Sequence, residues 1–154
     1  HAGHITAEDL GIYRLDLRTR DVSSLPGSER LQYPKCSARG DVLAMEKPPQ
    51  GQSAPNYWAR FADGSQWERL GAWPLAYPAW SPDGRSFVGL DVDARQIKRW
   101  SRSTGGLEPV ADVSDVRLLT WVVVPWMGLA PDGSPLVVRD RSTSDIYALD
   151  WEAP

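Results

Sequence analysis

Four segments of the chain alternate apolar and polar side chains, which is the period of a strand with one buried face. They are residues 12–18, 56–61, 96–100 and 145–151. A glycine-containing turn signal follows each of the middle two segments, at 62–65 and 103–106, and an apolar run comes after each turn. Both of these segments therefore predict antiparallel hairpins.

A second pattern recurs in step with the first. Residues 78–84 read Pro-Ala-Trp-Ser-Pro-Asp-Gly, a shorter form ends at Gly133, and a degenerate form ends at Gly40. Proline presets the backbone for a tight turn, and the glycine can adopt the positive φ that closes it. The three turn glycines, at 40, 84 and 133, are 44 and 49 residues apart. Self-similarity at such a period indicates a repeat architecture.

Together the two patterns define one unit of strand, Pro-Asp-Gly hairpin, strand, loop, strand, glycine hairpin and strand. Four antiparallel strands in about 40–50 residues are typical of one blade of a β-propeller. The alternative is a β-sandwich whose turn residues coincide by chance. We favour the propeller because the order of strands repeats together with the turn chemistry, so the predicted fold class is all-β.

The pattern predicts about three and a half four-stranded antiparallel blades within residues 11–154. Residues 1–10 are interpreted as a flexible N-terminal segment or a tag remnant. The predicted blades are a partial blade at 11–27, complete blades at 33–70 and 77–110, and a last blade at 118–151.

This number of blades is too small for a closed ring, because propellers close with about 4–8 blades. A half-propeller exposes two sheet edges, which invite pairing with another chain. We therefore expect a homodimer in which two chains complete one ring of about six to eight blades. The alternative is that the chain is a fragment of a longer protein.

The Pro-x-Trp-Ser-Pro-Asp-Gly motif at 78–84, followed by a hydrophobic strand, resembles the repeat of TolB-like β-propellers, which also occurs in the propellers of prolyl oligopeptidases. Residues 130–141 and 145–152 are similar to the closing blade of TolB-like propellers in acidobacterial-type proteins. In those proteins the propeller often follows a winged-helix DNA-binding domain or a kinase domain. The resemblance implies a bacterial propeller with PD40-type, WD40-like repeats, and it suggests a periplasmic location.

The sequence departs from that repeat in two of its units. Cys36 and Leu129 stand where the motif has tryptophan (compare Trp80), and Ala38-Arg39 replaces Pro-Asp. Because Cys36 occupies a packing position of the repeat, we expect a buried structural thiol there.

Composition narrows the function classes. Thirteen glycines and thirteen prolines among 154 residues suit many short strands and turns. The net charge of −3 does not suggest a nucleic-acid partner, since phosphate binding needs a basic patch. No stretch approaches the ~20 apolar residues of a membrane span, so we expect no membrane insertion.

Candidate catalytic groups are scarce in the sequence. It contains no Gly-x-Ser-x-Gly motif, and its only histidines are His1 and His4. Asp91 and Asp93 offer two carboxylates for Ca²⁺, but without a glycine-containing acidic loop they are better interpreted as an ordinary polar loop. We therefore predict no enzyme activity, no cofactor and no metal site.

A binding function remains, and the geometry of a blade predicts which face of the propeller carries the binding loops. Segments 47–55, 71–77 and 91–95 are expected on the face opposite the Pro-Asp-Gly turns, and loops on a rigid scaffold often carry recognition. Exposed aromatic side chains are good anchors, so the candidate contacts are Trp73, Tyr77 and Trp126. The competing interpretation of each is packing between blades.

Three function classes follow. The leading one is a non-catalytic scaffold that binds a protein or peptide, as the sensory part of a larger regulator. The second is the accessory propeller of a peptidase or other hydrolase whose catalytic domain lies elsewhere. The third is a small enzyme with acids or a metal at the central channel.

Overall fold

The computed structural model describes residues 10–48, 51, 54–119 and 124–143. All of the regular elements within these residues are β-strands. They are β1 (Tyr13–Leu15), β2 (Val22–Ser24), β3 (Leu31–Cys36), β4 (Val42–Glu46), β5 (Asn56–Arg60), β6 (Trp67–Ala72), β7 (Leu75–Trp80), β8 (Ser86–Asp91), β9 (Gln96–Ser101), β10 (Leu107–Asp112), β11 (Met127–Leu129) and β12 (Pro135–Val137).

Strands that follow one another in the chain pair antiparallel within each sheet. β3 to β6 form one four-stranded sheet, and β7 to β10 form a second. β1 pairs only with β2 and β11 only with β12 in two-stranded sheets. The predicted all-β fold of antiparallel blades is confirmed, with two complete and two partial blades. The strand predicted at 145–151 lies outside the described residues.

The complete blades begin and end slightly beyond their predicted bounds. Their strands run from 31 to 72 and from 75 to 112, compared with predictions of 33–70 and 77–110. The first strand of each blade starts earlier because a bulge divides it, and the pairing resumes on the far side of the bulge. Sequence alternation alone stops at such a bulge.

The first strands of successive blades lie side by side. β7 contacts β3 on one side and β11 on the other. This arrangement puts the three first strands around the axis of the propeller, with the other strands of each blade farther out.

The predicted turn is present at all three repeats. The turn glycines Gly40, Gly84 and Gly133 have φ of 89°, 66° and 87°, and each donates its N–H to the carbonyl three residues earlier, at 2.8–3.1 Å. Gly84 also lies against the side chain of Arg39 from the preceding turn, and Gly133 lies against Pro82. The turns therefore follow one another around one face, which we call the turn face.

The largest apolar cluster fills the space between the two complete blades. Phe87 stacks on Trp100 with ring centroids 5.1 Å apart, and Trp80 meets Phe87 edge-on at 5.6 Å. The Trp80 indole N–H donates to the Lys35 carbonyl at 2.9 Å, which ties β7 to β3. Smaller clusters join the partial blades to their neighbours. The buried members of the large cluster are Leu43, Tyr57, Ala59, Phe61, Leu75, Phe87 and Trp100.

The prediction that Cys36 is buried was wrong, because its side chain is exposed. Cys36 has the position in β3 that Trp80 has in β7. Trp80 packs towards β3, whereas within the described residues no first strand precedes β3 to cover Cys36. The position in the repeat therefore does not decide burial by itself.

Among the described residues, no helix is long and apolar enough to cross a membrane.

Candidate binding face

Each complete blade interrupts its first strand with a β-bulge. The pairing shifts register at residues 33–34 in β3 and at residues 77–78 in β7. Both bulges have the sequence Tyr-Pro, and the tyrosines have φ of 53° at Tyr33 and 47° at Tyr77. A bulky side chain in this left-handed region is unusual and costs roughly 1–3 kcal/mol. The same left-handed bulge therefore recurs at one place in both complete blades.

The bulges present both tyrosine rings to solvent. Tyr33 is 65% exposed and Tyr77 is 44% exposed, although both lie in first strands next to the core. A bulge re-aims a side chain that regular pairing would direct along the face of the sheet. The two rings therefore stand out from adjacent strands near the axis.

A third aromatic residue has the same sequence spacing in the last blade, immediately before β11. Tyr33, Tyr77 and Trp126 each stand seven residues before the turn glycine of their blade. Trp126 is 45% exposed. Its indole lies over Gly128, where a Cβ would come within 2.7 Å of the ring. We call these three residues the aromatic series.

A cavity of about 630 Å³ opens between β3 and β7 beside the two tyrosines. Its size is within the usual range of ligand sites. Its lining is mainly apolar, and the charged residues in it are Lys35 and Asp93. The three segments expected on one face, 47–55, 71–77 and 91–95, meet here through Pro55, Pro74 and Asp93. The other lining residues are Tyr33, Leu43, Ala44, Met45, Tyr57, Leu75, Ala76, Tyr77, Pro78, Val92 and Val124.

Tyr57 forms a rigid part of this lining. Its hydroxyl donates to the Leu75 carbonyl at 2.7 Å, across the junction of the two blades. Burial raises the pKa of Tyr57 to about 12, so the hydroxyl stays protonated and keeps donating. The hydrogen bond holds this wall of the cavity in place across the blade junction.

The structure separates the three residues predicted as contacts. Tyr77 lines the cavity and Trp126 has the matching position in the last blade. Trp73 instead packs against the core between the blades, with its ring 5.8 Å from Tyr57 and 6.3 Å from Phe87. A Cβ on Gly71 would overlap its indole, so that glycine makes room for the packed ring. Ligand contacts at Trp73, Tyr77 and Trp126 all stay predictions.

Sequence reasoning missed Tyr33. The repeat that ends at Gly40 departs from the motif at Cys36 and at residues 38–39, which obscures its similarity to the other units. Counting back seven residues from each turn glycine finds Tyr33, Tyr77 and Trp126 together. The signal was therefore present in the sequence.

The turn face has a different chemistry. Arg102 lies 3.8 Å above the centre of the Phe61 ring and pairs with Asp63 at 2.8 Å. The hydrogen bond from Arg102 lowers the pKa of Asp63 below its usual value. A cavity of about 550 Å³ at this place is lined by three arginines and two aspartates. Because Arg102 comes from the second complete blade and Asp63 from the first, the pair links the two blades.

Asp91, considered as a possible calcium ligand, has its carboxylate engaged. Lys98 Nζ donates to Oδ2 at 2.7 Å, and the Ala94 N–H donates to Oδ1 at 2.9 Å. Burial raises the pKa of Asp91, but these hydrogen bonds outweigh it, and the net pKa is lowered. Within the described parts of the chain, no group of three or more His, Cys, Asp or Glu residues is arranged to hold a metal ion.

Solved structures show which fold this is. The chain resembles TolB from Acinetobacter baumannii with a TM-score of 0.58 at 20% identity, over 88% of this chain and 33% of that one. A luciferin-regenerating enzyme matches with a TM-score of 0.50 at 14% identity, over 76% of this chain and 43% of that one. A protein from Lactobacillus plantarum matches with a TM-score of 0.52 at 16% identity, over 82% of this chain and 40% of that one.

These likenesses show that the chain has a TolB-like propeller fold, and at such identities they show the fold alone. The chain spans between a third and somewhat under half of the length of these proteins. No protein-family model matches the chain. No curated protein matches it either.

Proposed function

We propose that this chain is a non-catalytic binding module that holds an extended segment of a protein or peptide on the face opposite the turns. The observation that carries the proposal is the aromatic series. An exposed aromatic side chain recurs seven residues before each turn glycine, in β3, in β7 and immediately before β11, and two of the three are held in a left-handed conformation.

The chemistry of the cavity favours an apolar polypeptide segment. Rigid aromatic rings supply contact area at a small cost in conformational entropy, which is why they dominate binding hot spots. Pro55, Pro74 and Pro78 stiffen the rim around the rings. With Lys35 and Asp93 as the charged lining residues, the surface is nearly neutral and suits side chains such as proline, leucine or valine.

The composition of the lining supports a binding role. Apolar side chains and prolines make up most of it, and the Tyr57 hydroxyl in it is engaged with the Leu75 carbonyl. A surface of this kind suits contact with a polypeptide, which agrees with the protein-interaction role that TolB-like propellers suggest.

We further propose that the module serves as the sensory or scaffolding part of a larger regulator. The support for this is the TolB-like propeller fold, which suggests a protein-interaction module. The second candidate is an accessory propeller of a peptidase or hydrolase. One fold neighbour carries the name of an enzyme, the luciferin-regenerating enzyme.

The experiment is a selection from a phage-displayed library of random linear peptides against the immobilised chain, followed by calorimetric titration of the enriched peptides. Tyr33→Ala and Tyr77→Ala should each weaken binding by at least about tenfold. Tyr77→Phe keeps the ring and should bind almost as well as the unchanged chain.

Val110→Ala is the control for surface apolarity, because Val110 is 48% exposed on β10 at the outer edge of its blade. It should not affect binding. The proposal fails if no peptide is enriched, or if a chain lacking all three aromatic side chains of the series binds the enriched peptides unchanged.

A further inference from the structure

The cavity of about 550 Å³ on the turn face lies between the two complete blades, and every residue that lines it belongs to one of them. Its walls come mainly from the four hairpin turns of these blades, at residues 37–41, 61–66, 81–85 and 102–106. It shares no lining residue with the cavity beside the tyrosines. The charged residues in it are Arg39, Asp41, Asp63, Arg85 and Arg102.

The two aspartates of this lining are engaged within the protein. Asp41 is buried, and it accepts the Ala62 N–H at 2.8 Å and the Ser37 hydroxyl at 3.2 Å. Asp63 accepts from Arg102 at 2.8 Å, across the junction of the two blades. Their carboxylates therefore serve to hold the turns together.

Two further carboxylates beside the cavity also have internal partners. Glu68 Oε1 lies 3.8 Å from a guanidinium nitrogen of Arg102. Asp83 accepts the Ser81 hydroxyl at 2.6 Å and the Arg85 N–H at 3.0 Å. Each acidic side chain in or beside the cavity is thus paired or hydrogen-bonded, and the total charge around the cavity is close to balance.

Two of the three arginines differ from these acids. Within the described residues, neither Arg39 nor Arg85 forms an ion pair. The stem of Arg39 packs on the second complete blade, because a Cβ on Gly84 would come within 2.8 Å of its Cγ. Gly84 directly precedes Arg85, so the fold brings the two arginines to the same part of the cavity. Two like charges held in one cavity repel each other unless an anion lies between them.

The chemistry of the site favours a carboxylate as that anion. The planar guanidinium group donates two parallel hydrogen bonds to a carboxylate, and clusters of arginines recognise acidic motifs. Phe61 and Trp80 add aromatic surface to the lining. Such surface excludes water, and hydrogen bonds to charged groups are stronger where water is excluded.

We propose that the turn-face cavity binds an acidic segment of a polypeptide and holds one of its carboxylates between Arg39 and Arg85. A peptide suits the site better than a nucleic acid, because Glu68 and Asp83 stand beside the cavity and would repel a continuous row of phosphates. The site is independent of the proposed function, since it uses none of the aromatic series and lies on the other face.

The experiment is calorimetric titration of the full chain with a capped hexaglutamate peptide at low ionic strength, where exposed charges are least screened. Arg39→Gln with Arg85→Gln should weaken binding by at least about tenfold, because two charge-assisted contacts are lost. Glutamine keeps the Cγ and Cδ atoms that lie against Gly84, so the packing of the turn is preserved. Arg85→Gln alone should weaken binding by at least about threefold, which keeps the test valid if the double variant unfolds.

The matched control removes the same charge from another part of the chain. Arg14→Gln with Arg18→Gln alters two exposed arginines in and after β1, and it should change the affinity by less than about twofold. Arg39→Lys with Arg85→Lys keeps both charges but loses the planar pair of donors. This variant should bind more weakly than the unchanged chain and more tightly than the glutamine variant.

The competing source of carboxylates is the chain itself, since five of its acidic residues lie outside the described residues. They are Glu8, Asp9, Asp145, Asp150 and Glu152. Replacing all five by their amides should raise the affinity for hexaglutamate by less than about threefold, the size of a general charge effect. A gain of about tenfold or more would mean that the chain fills its own cavity, and it would overturn the proposal.

Three other outcomes would also overturn it: no binding of hexaglutamate, an equal loss in the Arg14 and Arg18 control, or tighter arginine-dependent binding of a thymidine oligonucleotide of the same length. Tyr33→Ala with Tyr77→Ala should leave hexaglutamate binding unchanged. Failure of this site and failure of the proposed function are therefore seen in different variants and with different peptides.

Discussion

The two complete blades have the same strand order, but their first strands meet different neighbours. In the second blade, Trp80 packs beside Phe87 and donates to the backbone of the first blade. In the first blade the same position holds the exposed Cys36, because no first strand precedes β3 in the described residues. The difference shows that the repeat sets the position of a side chain. The adjacent blade decides whether that side chain is buried and how much it contributes to stability.

The largest contrast is expected at that position. Trp80→Ala should lower the free energy of unfolding by about 3 kcal/mol, because it removes a half-buried ring and an inter-blade hydrogen bond. Cys36→Ala should change it by less than about 0.5 kcal/mol, as at other exposed sites. Urea denaturation of both variants measures the contrast, and similar losses would refute it.

The second contrast concerns the acidic residue that ends the second strand of each blade. Asp91 accepts from Lys98 in the second blade, whereas Glu46 of the first blade accepts from the Trp58 indole at 3.3 Å and pairs with the exposed Arg30 at 3.4 Å. Asp91→Asn should destabilise by about 2 kcal/mol near neutral pH, since it leaves Lys98 without its carboxylate.

Acid titration of stability provides the check on Asp91. Its pKa in the folded chain is lowered from 3.8, so its contribution is fully present above pH 3.8 and is lost as the pH falls through the folded value. The stability difference between the unchanged chain and Asp91→Asn should therefore shrink below that pH. A difference that stays constant down to the acid limit of folding would contradict the assignment.

The third contrast separates packing from backbone strain. Gly84 and Gly40 both have positive φ, but a Cβ on Gly84 would come within 2.8 Å of Arg39, whereas one on Gly40 makes ordinary contact with Ala62 at 3.6 Å. Gly40→Ala should cost about 1 kcal/mol, from the left-handed backbone alone. Gly84→Ala should cost more by about 0.5 kcal/mol or above, unless Arg39 moves aside freely. Thermal unfolding of the two variants ranks them.

The smallest effect on stability is expected at the bulge tyrosines, where the two complete blades have the same backbone conformation. Tyr33→Gly and Tyr77→Gly relieve the left-handed strain but lose ring contacts and loosen the unfolded chain. Each should change stability by about 1 kcal/mol or less, while peptide binding falls in both. A loss above about 2 kcal/mol in either variant would mean that the tyrosine is part of the core.

Much of the fold was predictable because its signals are local. The spacing of the turn glycines and the alternating segments predicted the blades, and Gly84 forms the turn that its sequence indicates. What surrounds a residue was harder to predict. Cys36 was assigned to the core because Trp80 packs there. The sequence around Cys36 gives no sign that no first strand covers it in the described residues.

The candidate binding face was only partly predictable, for related reasons. Tyr77, which lines the cavity, was predicted from its loop, whereas Tyr33, which also lines it, was not, although it has the same spacing from its glycine. Trp73 was chosen for its exposure in a linker, whereas Gly71 two residues earlier makes room for a packed indole. In the first blade Trp58 stands where the second has Lys98, and Glu46 takes its cationic partner from Arg30, which precedes the blade; the sequence shows no rule that predicts this exchange.

The seven-residue spacing between each exposed ring and its turn has a consequence for how such proteins change over generations. The turn and the exposed aromatic residue belong to the same repeat unit of about 44 residues, so a gene duplication that adds a blade copies both at once. A lineage can then gain a blade and an exposed aromatic side chain in one event. Later substitutions at the aromatic position change each of these side chains separately, without altering the turn that builds the blade.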